Sequence, residues 1–152
     1  MRRNPEPVSP DRPTDGMIEA VARGLIDRTL PKADWTHAAH FAAALWLLRH
    51  DDAYGRMPGL IRAYNAATGT PNTDAGGYHE TITLASLRAA RACLAARTEA
   101  EPDVSLADCL NALLAGPCGR SDWLLAYWSR ELLFSPAARR AWVEPDIQPL
   151  PY

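Results

Sequence analysis

The sequence predicts an all-α fold, a single-domain bundle of about five to six helices with a proline-rich N-terminal arm and an extended C-terminal tail. Three observations predict it. Apolar residues recur at helical spacing along most of the chain. Ser, Thr and Asp stand before those runs, while Gly and Pro follow them. No period-2 alternation bounded by turns occurs anywhere. At 152 residues the chain holds about one domain's worth of core.

Residues 1–14 carry four prolines among polar neighbours and are expected to form a disordered or loosely docked arm. The helical domain is expected over 15–143, with Asp15 capping a first helix in which Ile18, Val21 and Leu25 share a face. Pro31 separates it from a second helix, roughly Trp35 to Arg49, capped by Asp34 or Thr36. "DDAYGRMPG" is a break holding about one turn, and a third helix follows from about Gly59 to Thr68, closed by Gly69. "TPNTDAGG" reads as a flexible loop. The longest helix follows, near Tyr78 to Arg97. "SLAD" at 105–108 is a loose capping box opening the next helix, which ends at "AGPCG". Ser121 starts a further helix, and Ser135-Pro136 supplies a cap and N1 proline for a short last one ending near Trp142. The proline-paced tail, 144–152, is expected to lie extended against the body.

Composition excludes several classes. With 47% hydrophobic and 22% charged residues and a formal net charge of -2, the chain has no cationic excess to neutralise phosphates, so nucleic acid is not an expected partner. No apolar run reaches the 18 or so residues of a membrane span, and the two arginines near the start precede no apolar core of a signal peptide. A cytoplasmic protein is expected. Cys93, Cys109 and Cys118 are odd in number and lack CxxC spacing, which reads as free, mostly buried thiols. Lysine occurs once, at Lys32.

The chemistry concentrates in the histidines. His37 and His40 lie three residues apart, about 60° around a helix, on the face that carries Phe41, Ala44, Leu47 and Leu48. His79 shares a face with Ile82, Thr83, Ser86, Ala90 and Cys93, small and partly polar side chains that suit a pocket wall. Two inward imidazoles on one helix and one on another are the donors of a three-histidine site with open positions. Zinc, iron, nickel or manganese all suit such a set. Glu80 is a candidate ligand or general base; its other reading is a carboxylate closing a helix start, with Gly77 as N-cap and Glu80 at N3. A lone inward histidine is most often a hydrogen-bonded core residue, and this reading stands beside the metal one. His50, between Arg49 and Asp51, reads as solvated or C-capping. No Glu-x-x-His occurs, so a di-iron carboxylate site has little support, and the absence of HExxH removes zincin-type peptidases.

"WTHAAH", "YHETIT" and the C-terminal "YWSRELLFSPAARRAWVEPDIQPLP" resemble, in that order and over about Asp34 to Leu150, an uncharacterised family of small bacterial helical proteins. A looser resemblance is to DinB-like bundles, which hold one divalent metal with three histidines from different helices. The DinB spacing differs from the H-x-x-H here, and no residue is carried across. Trp123, Tyr127 and Trp128 form an aromatic face at helical spacing. Tyr64, Asn65, Thr83, Ser86 and Arg130 are the candidates for substrate contacts, with Arg62, Ser129 and Arg139 as further polar groups. Arginine matters most, since a guanidinium anchors carboxylate or phosphate in two-point fashion.

The first functional expectation is therefore a small-molecule enzyme with a mononuclear metal on His37, His40 and His79. Glu80 would move protons, in hydrolase, lyase or isomerase chemistry, with an iron(II) oxygenase as a variant. The alternatives are a metal-free acid/base enzyme using the same His/Glu cluster and a non-catalytic helical binding or accessory protein. A homodimer is compatible with so small an α-domain bearing several tryptophans.

Overall fold

A computed structural model describes residues 13–152. The arm expected over 1–14 therefore lies, but for Pro13 and Thr14, outside the described residues. These form seven α-helices: α1 (Asp15–Asp27), α2 (His37–His50), α3 (Ala53–Ala67), α4 (Glu80–Ala100), α5 (Leu106–Ala115), α6 (Arg130–Leu133) and α7 (Pro136–Arg140). Single 3-10 turns occupy Lys32–Asp34, Pro117–Gly119 and Trp123–Ala126. The described residues contain no strand, and none of their helices is long and apolar enough to cross a membrane. The all-α reading holds.

Helix α2 is the centre. It packs on α1, α3, α4 and α5, and Ala39, Phe41, Ala42, Ala43, Ala44, Leu45 and Leu47 are all buried. The buried set is wider than the single stripe read from Phe41, Ala44, Leu47 and Leu48, because four neighbours surround the helix. Its alanines let their axes approach closely, while each fully buried Phe or Leu stabilises by about 1.5–3 kcal/mol.

The caps explain where helices start. Thr14, one residue before the expected Asp15, accepts from Met17 N at 3.2 Å. Asp15 instead accepts from Ala107 N at 2.8 Å, in the first turn of α5, so its carboxylate joins two helix starts. Thr36 caps α2 through Ala39 N, Ser105 caps α5 through Asp108 N, and Ser135 caps α7 with Pro136 at N1.

Three expectations are corrected. The break at "DDAYGRMPG" is helix: Asp52 caps α3 through Gly55 N, and the helix runs through Pro58. Proline there removes one i→i−4 bond, and burial of Ala53, Met57 and Ile61 on the same helix offsets it. The segment from Ser121 is not one helix but a 3-10 turn followed by α6. Asp146 of the tail accepts from Ser129 N at 2.7 Å and from Ser129 Oγ at 2.6 Å, while Ser129 Oγ caps α6. A side chain committed twice at 129 starts a new helix there. Third, the longest helix begins at Glu80, with His79 as its N-cap rather than Gly77.

The C-terminal segment docks on the body, with bends at 146–148. Trp128, fully buried, donates its indole N–H to Val143 O at 3.0 Å; Ile147 N donates to Tyr127 O and Gln148 Nε2 to Ala126 O. Thr81, also fully buried, donates Oγ1–H to Ala141 O at 3.0 Å and accepts from Val143 N at 3.2 Å.

A Thr81→Val variant keeps the shape of that side chain and strands both backbone groups. Urea unfolding should show a loss of about 1–3 kcal/mol, whereas Thr81→Ser should recover most of it.

Candidate functional site

A cavity of about 440 Å³ opens where the 3-10 turn before α2, the first turns of α2 and α4, the second half of α3, and α7 converge. Its size is ordinary for a small-molecule site. Trp35, His40, Tyr64, Tyr78 and His79 give it aromatic walls; Asn65, Thr68 and Thr83 give neutral polar groups; Lys32 and Arg139 give positive charge. Among the described residues no carboxylate lines it.

The loop before α4 builds one side of the cavity, and it is pinned rather than flexible as the sequence suggested. Asn72 Oδ1 accepts from Tyr78 N at 2.9 Å and from Asn65 Nδ2 at 3.1 Å, while Asn72 Nδ2 donates to Arg62 O at 3.0 Å. Asp74 pairs with Arg140 of α7. Gly77 sits at φ +79°, where a Cβ would meet Pro71 O at 2.5 Å. Only glycine fits there. The Gly77 and Tyr78 carbonyls then point to Arg139, whose Nη1 donates to them at 3.1 and 3.4 Å.

The three histidines have different surroundings. His37 donates Nε2–H to Cys118 O at 2.7 Å, faces Phe41 edge-on and does not line the cavity. His79 is buried with both ring nitrogens in use: Nδ1 accepts from Ile82 N at 3.1 Å, capping α4, and Nε2–H donates to Leu133 O at 2.6 Å. Those two bonds require the neutral ring. Burial lowers its pKa, the Leu133 bond opposes this, and Arg139 lowers it further. His40 donates Nδ1–H to Thr36 O at 2.7 Å and stacks on Trp35 with ring centres 3.8 Å apart. Its Nε2 has no partner among the described residues, and the ring borders the cavity. Burial lowers this pKa as well, against the Thr36 carbonyl and helped by the charge of His37.

The expected three-histidine donor set is thus not assembled. Among the described residues no group of three His, Cys, Asp or Glu side chains stands close enough to hold a metal ion. His79 would have to surrender a helix cap and a buried carbonyl bond to serve as ligand, and His37 its bond to Cys118. The residues present do not fit that group in this arrangement. His50 is exposed at the end of α2 against Trp46.

Glu80 stands at N1 of α4, outside the cavity lining, where Oε2 accepts from Tyr78 Oη at 3.1 Å and from Arg62 at 3.3 Å. Arg62 also lies over the Tyr78 ring, 4.2 Å from its centre. Burial and the Glu80 charge hold the Tyr78 hydroxyl well above the ordinary phenol range. Of the candidate substrate contacts, Tyr64, Asn65 and Thr83 line the cavity; Ser86 does not. Tyr64 donates its hydroxyl to Leu30 O at 2.8 Å. Arg130 is exposed over Phe134, and the arginine at the cavity is Arg139. Lys32, Trp35, Tyr78 and the organising Asn72 were not among the candidates. Trp35 and Tyr78 open the "WTHAAH" and "YHETIT" blocks; nothing in the sequence marked Lys32 or Asn72. Comparison of the chain with protein-family models, curated proteins and solved structures finds no significant match.

His79→Ala should cost about 2–4 kcal/mol in chemical denaturation, from a lost cap and an unpaired buried carbonyl; His79→Asn, which can still cap, should recover part. Because burial depresses the folded pKa of His79, the unfolded chain binds more protons between that value and the ordinary 6.5. Stability should hold above about 6.5 and decline as the pH falls below it. His40, depressed for the same leading reason, adds to the slope. Denaturant midpoints measured from pH 8 to 5 should show a weaker decline in His79→Asn than in the parent.

Proposed function

We propose that the chain is a small-molecule enzyme working by metal-free acid/base chemistry, with His40 as its proton-transfer group. One observation carries this reading. The Thr36 carbonyl, which accepts both His40 N–H at 3.1 Å and His40 Nδ1–H at 2.7 Å, holds the ring in one tautomer. The Nε2 lone pair is left without a partner among the described residues, on a ring that borders the cavity. A lowered pKa keeps that lone pair free at neutral pH.

The chemistry open to it is removal of a proton from water or from a carbon beside a carbonyl. The proton passes to Nε2, and the resulting imidazolium keeps its Nδ1–H on Thr36 O. Desolvation makes that cation a ready acid for the return step. Asn65 and Thr83 are placed to orient the substrate, and Glu80 acts at one remove, by holding the Tyr78 hydroxyl. A cytoplasmic location belongs to the same reading, supported by three free cysteines, of which Cys109 and Cys118 are buried.

The test combines a reaction panel with metal analysis. Hydrolysis of p-nitrophenyl esters and deuterium exchange beside the carbonyl of 2-oxo acids would be followed in the parent and in His40→Gln. A loss of roughly 10²–10⁴-fold in the variant, with an unchanged circular dichroism spectrum and no dependence on added or chelated metal, is expected. Equal rates in both proteins would refute the role of His40. An equivalent of zinc, iron, nickel or manganese that rides with activity and is lost in the variant would replace this reading by a metal-dependent one.

A further inference from the structure

The positive charge of the cavity has no counterpart in the acid/base reading. The arginines around it are already neutralised: Arg62 by Glu80 and Arg140 by Asp74. Lys32 and Arg139 are different. Neither forms a salt bridge among the described residues, and both border the cavity, which no carboxylate lines.

Arg139 is also held in a particular way. Its Nη1 is tied to the Gly77 and Tyr78 carbonyls, leaving Nε–H and Nη2, the side-on edge of the guanidinium, without an acceptor among the described residues. Its Nε is the one buried side-chain nitrogen or oxygen without a hydrogen-bond partner among the described residues. Buried donors are almost always satisfied, so an orphan of this kind calls for an acceptor from elsewhere. The side-on edge presents two parallel N–H groups, the spacing that matches two oxygens of a carboxylate or phosphate. The tether fixes the plane of that edge and lowers the entropy lost on binding.

We infer that the ligand of this cavity is a small organic oxyanion, a carboxylate or a phosphate ester. Its charged end pairs with the side-on edge of Arg139 and with Lys32, and its body lies against Trp35 and Tyr78. This rests on the cavity being the functional site, as proposed above, and adds the class of molecule that enters it. An oxyanion there, with a small shift that uncovers the buried Nε, gives that nitrogen an acceptor and brings negative charge to a cavity that no carboxylate lines among the described residues. A substrate held by its acid group at Arg139 presents the rest of its skeleton to the side of the cavity where His40 stands.

The experiment is a nitrogen-15 NMR titration of the full chain with three probes of one shape: phenyl phosphate, benzoate and neutral benzamide. The Arg139 Nε–H and Trp35 indole N–H signals are followed. Both anions should shift the two signals saturably, and benzamide should bind at least tenfold more weakly. Tighter binding of phenyl phosphate than benzoate identifies a phosphate ester as the natural head group, and the reverse order a carboxylate. Arg139→Gln should weaken the anions at least tenfold. Lys32→Gln, at an exposed position that leaves the fold intact, should weaken them several-fold. Benzamide binding as tightly as benzoate, failure of both anions to saturate at tens of millimolar, or undiminished affinity in Lys32→Gln and Arg139→Gln together would overturn the inference. His40→Gln separates the two proposals. Anions that still bind while that change leaves turnover untouched would remove the acid/base role and keep the oxyanion site. Turnover lost with His40, beside a cavity that ignores anions, would do the reverse.

Discussion

The pair of hydrogen bonds made by the His79 ring is the constraint from which the site follows. One imidazole caps the 21-residue α4 through Ile82 N and ties the cap to Leu133 at the end of α6. Placing α6 there brings α7 beside the loop before α4, where Arg139 reaches Gly77 and Tyr78 and Arg140 reaches Asp74. The neutral ring is essential to this, since Nδ1 accepts while Nε2 donates. Burial favours the neutral form, so the protonation state that the helix start needs is the one its environment selects.

The same device serves a different end at α2. Thr36 caps the helix with its hydroxyl, and its carbonyl takes both the first helical N–H and the Nδ1–H of His40. In His79 the two nitrogens are spent on structure; in His40 one is spent and one is left facing a polar cavity. That difference of a single lone pair separates a core histidine from a group able to move a proton. Around it Glu80 pairs with Arg62 and Asp74 with Arg140, while Lys32 and Arg139 form no salt bridge among the described residues.

Much of the fold was legible because it rests on local signals. Thr36, Ser105 and Ser135 cap the helices expected of them, and the apolar period of α1, α2, α4 and α5 announced them. Failures came where a distant residue intervened. Asp146, seventeen positions on, rewrites the start of α6 at Ser129, and tertiary burial of Ala53, Met57 and Ile61 carries α3 through Pro58. The histidines were legible as inward-facing, but their partners were not. Cys118 O and Leu133 O are backbone carbonyls 81 and 54 residues away, and a carbonyl leaves no mark in the sequence.

The all-α class, the starts of α2, α5 and α7, and the clustering of imidazoles at two helix starts were therefore properties of the chain as written, since capping and periodicity act within a few residues. Which imidazole keeps a free nitrogen, which arginine turns to the cavity and whether "TPNTDAGG" is loose or pinned were decided only by the packed structure. Arg130 and Arg139 are equivalent as letters. One lies over Phe134 in solvent and the other is bound by two carbonyls whose direction depends on Gly77 at φ +79°. Ring nitrogens and guanidinium edges are short-range, directional groups, and their use depends on where distant backbone comes to rest.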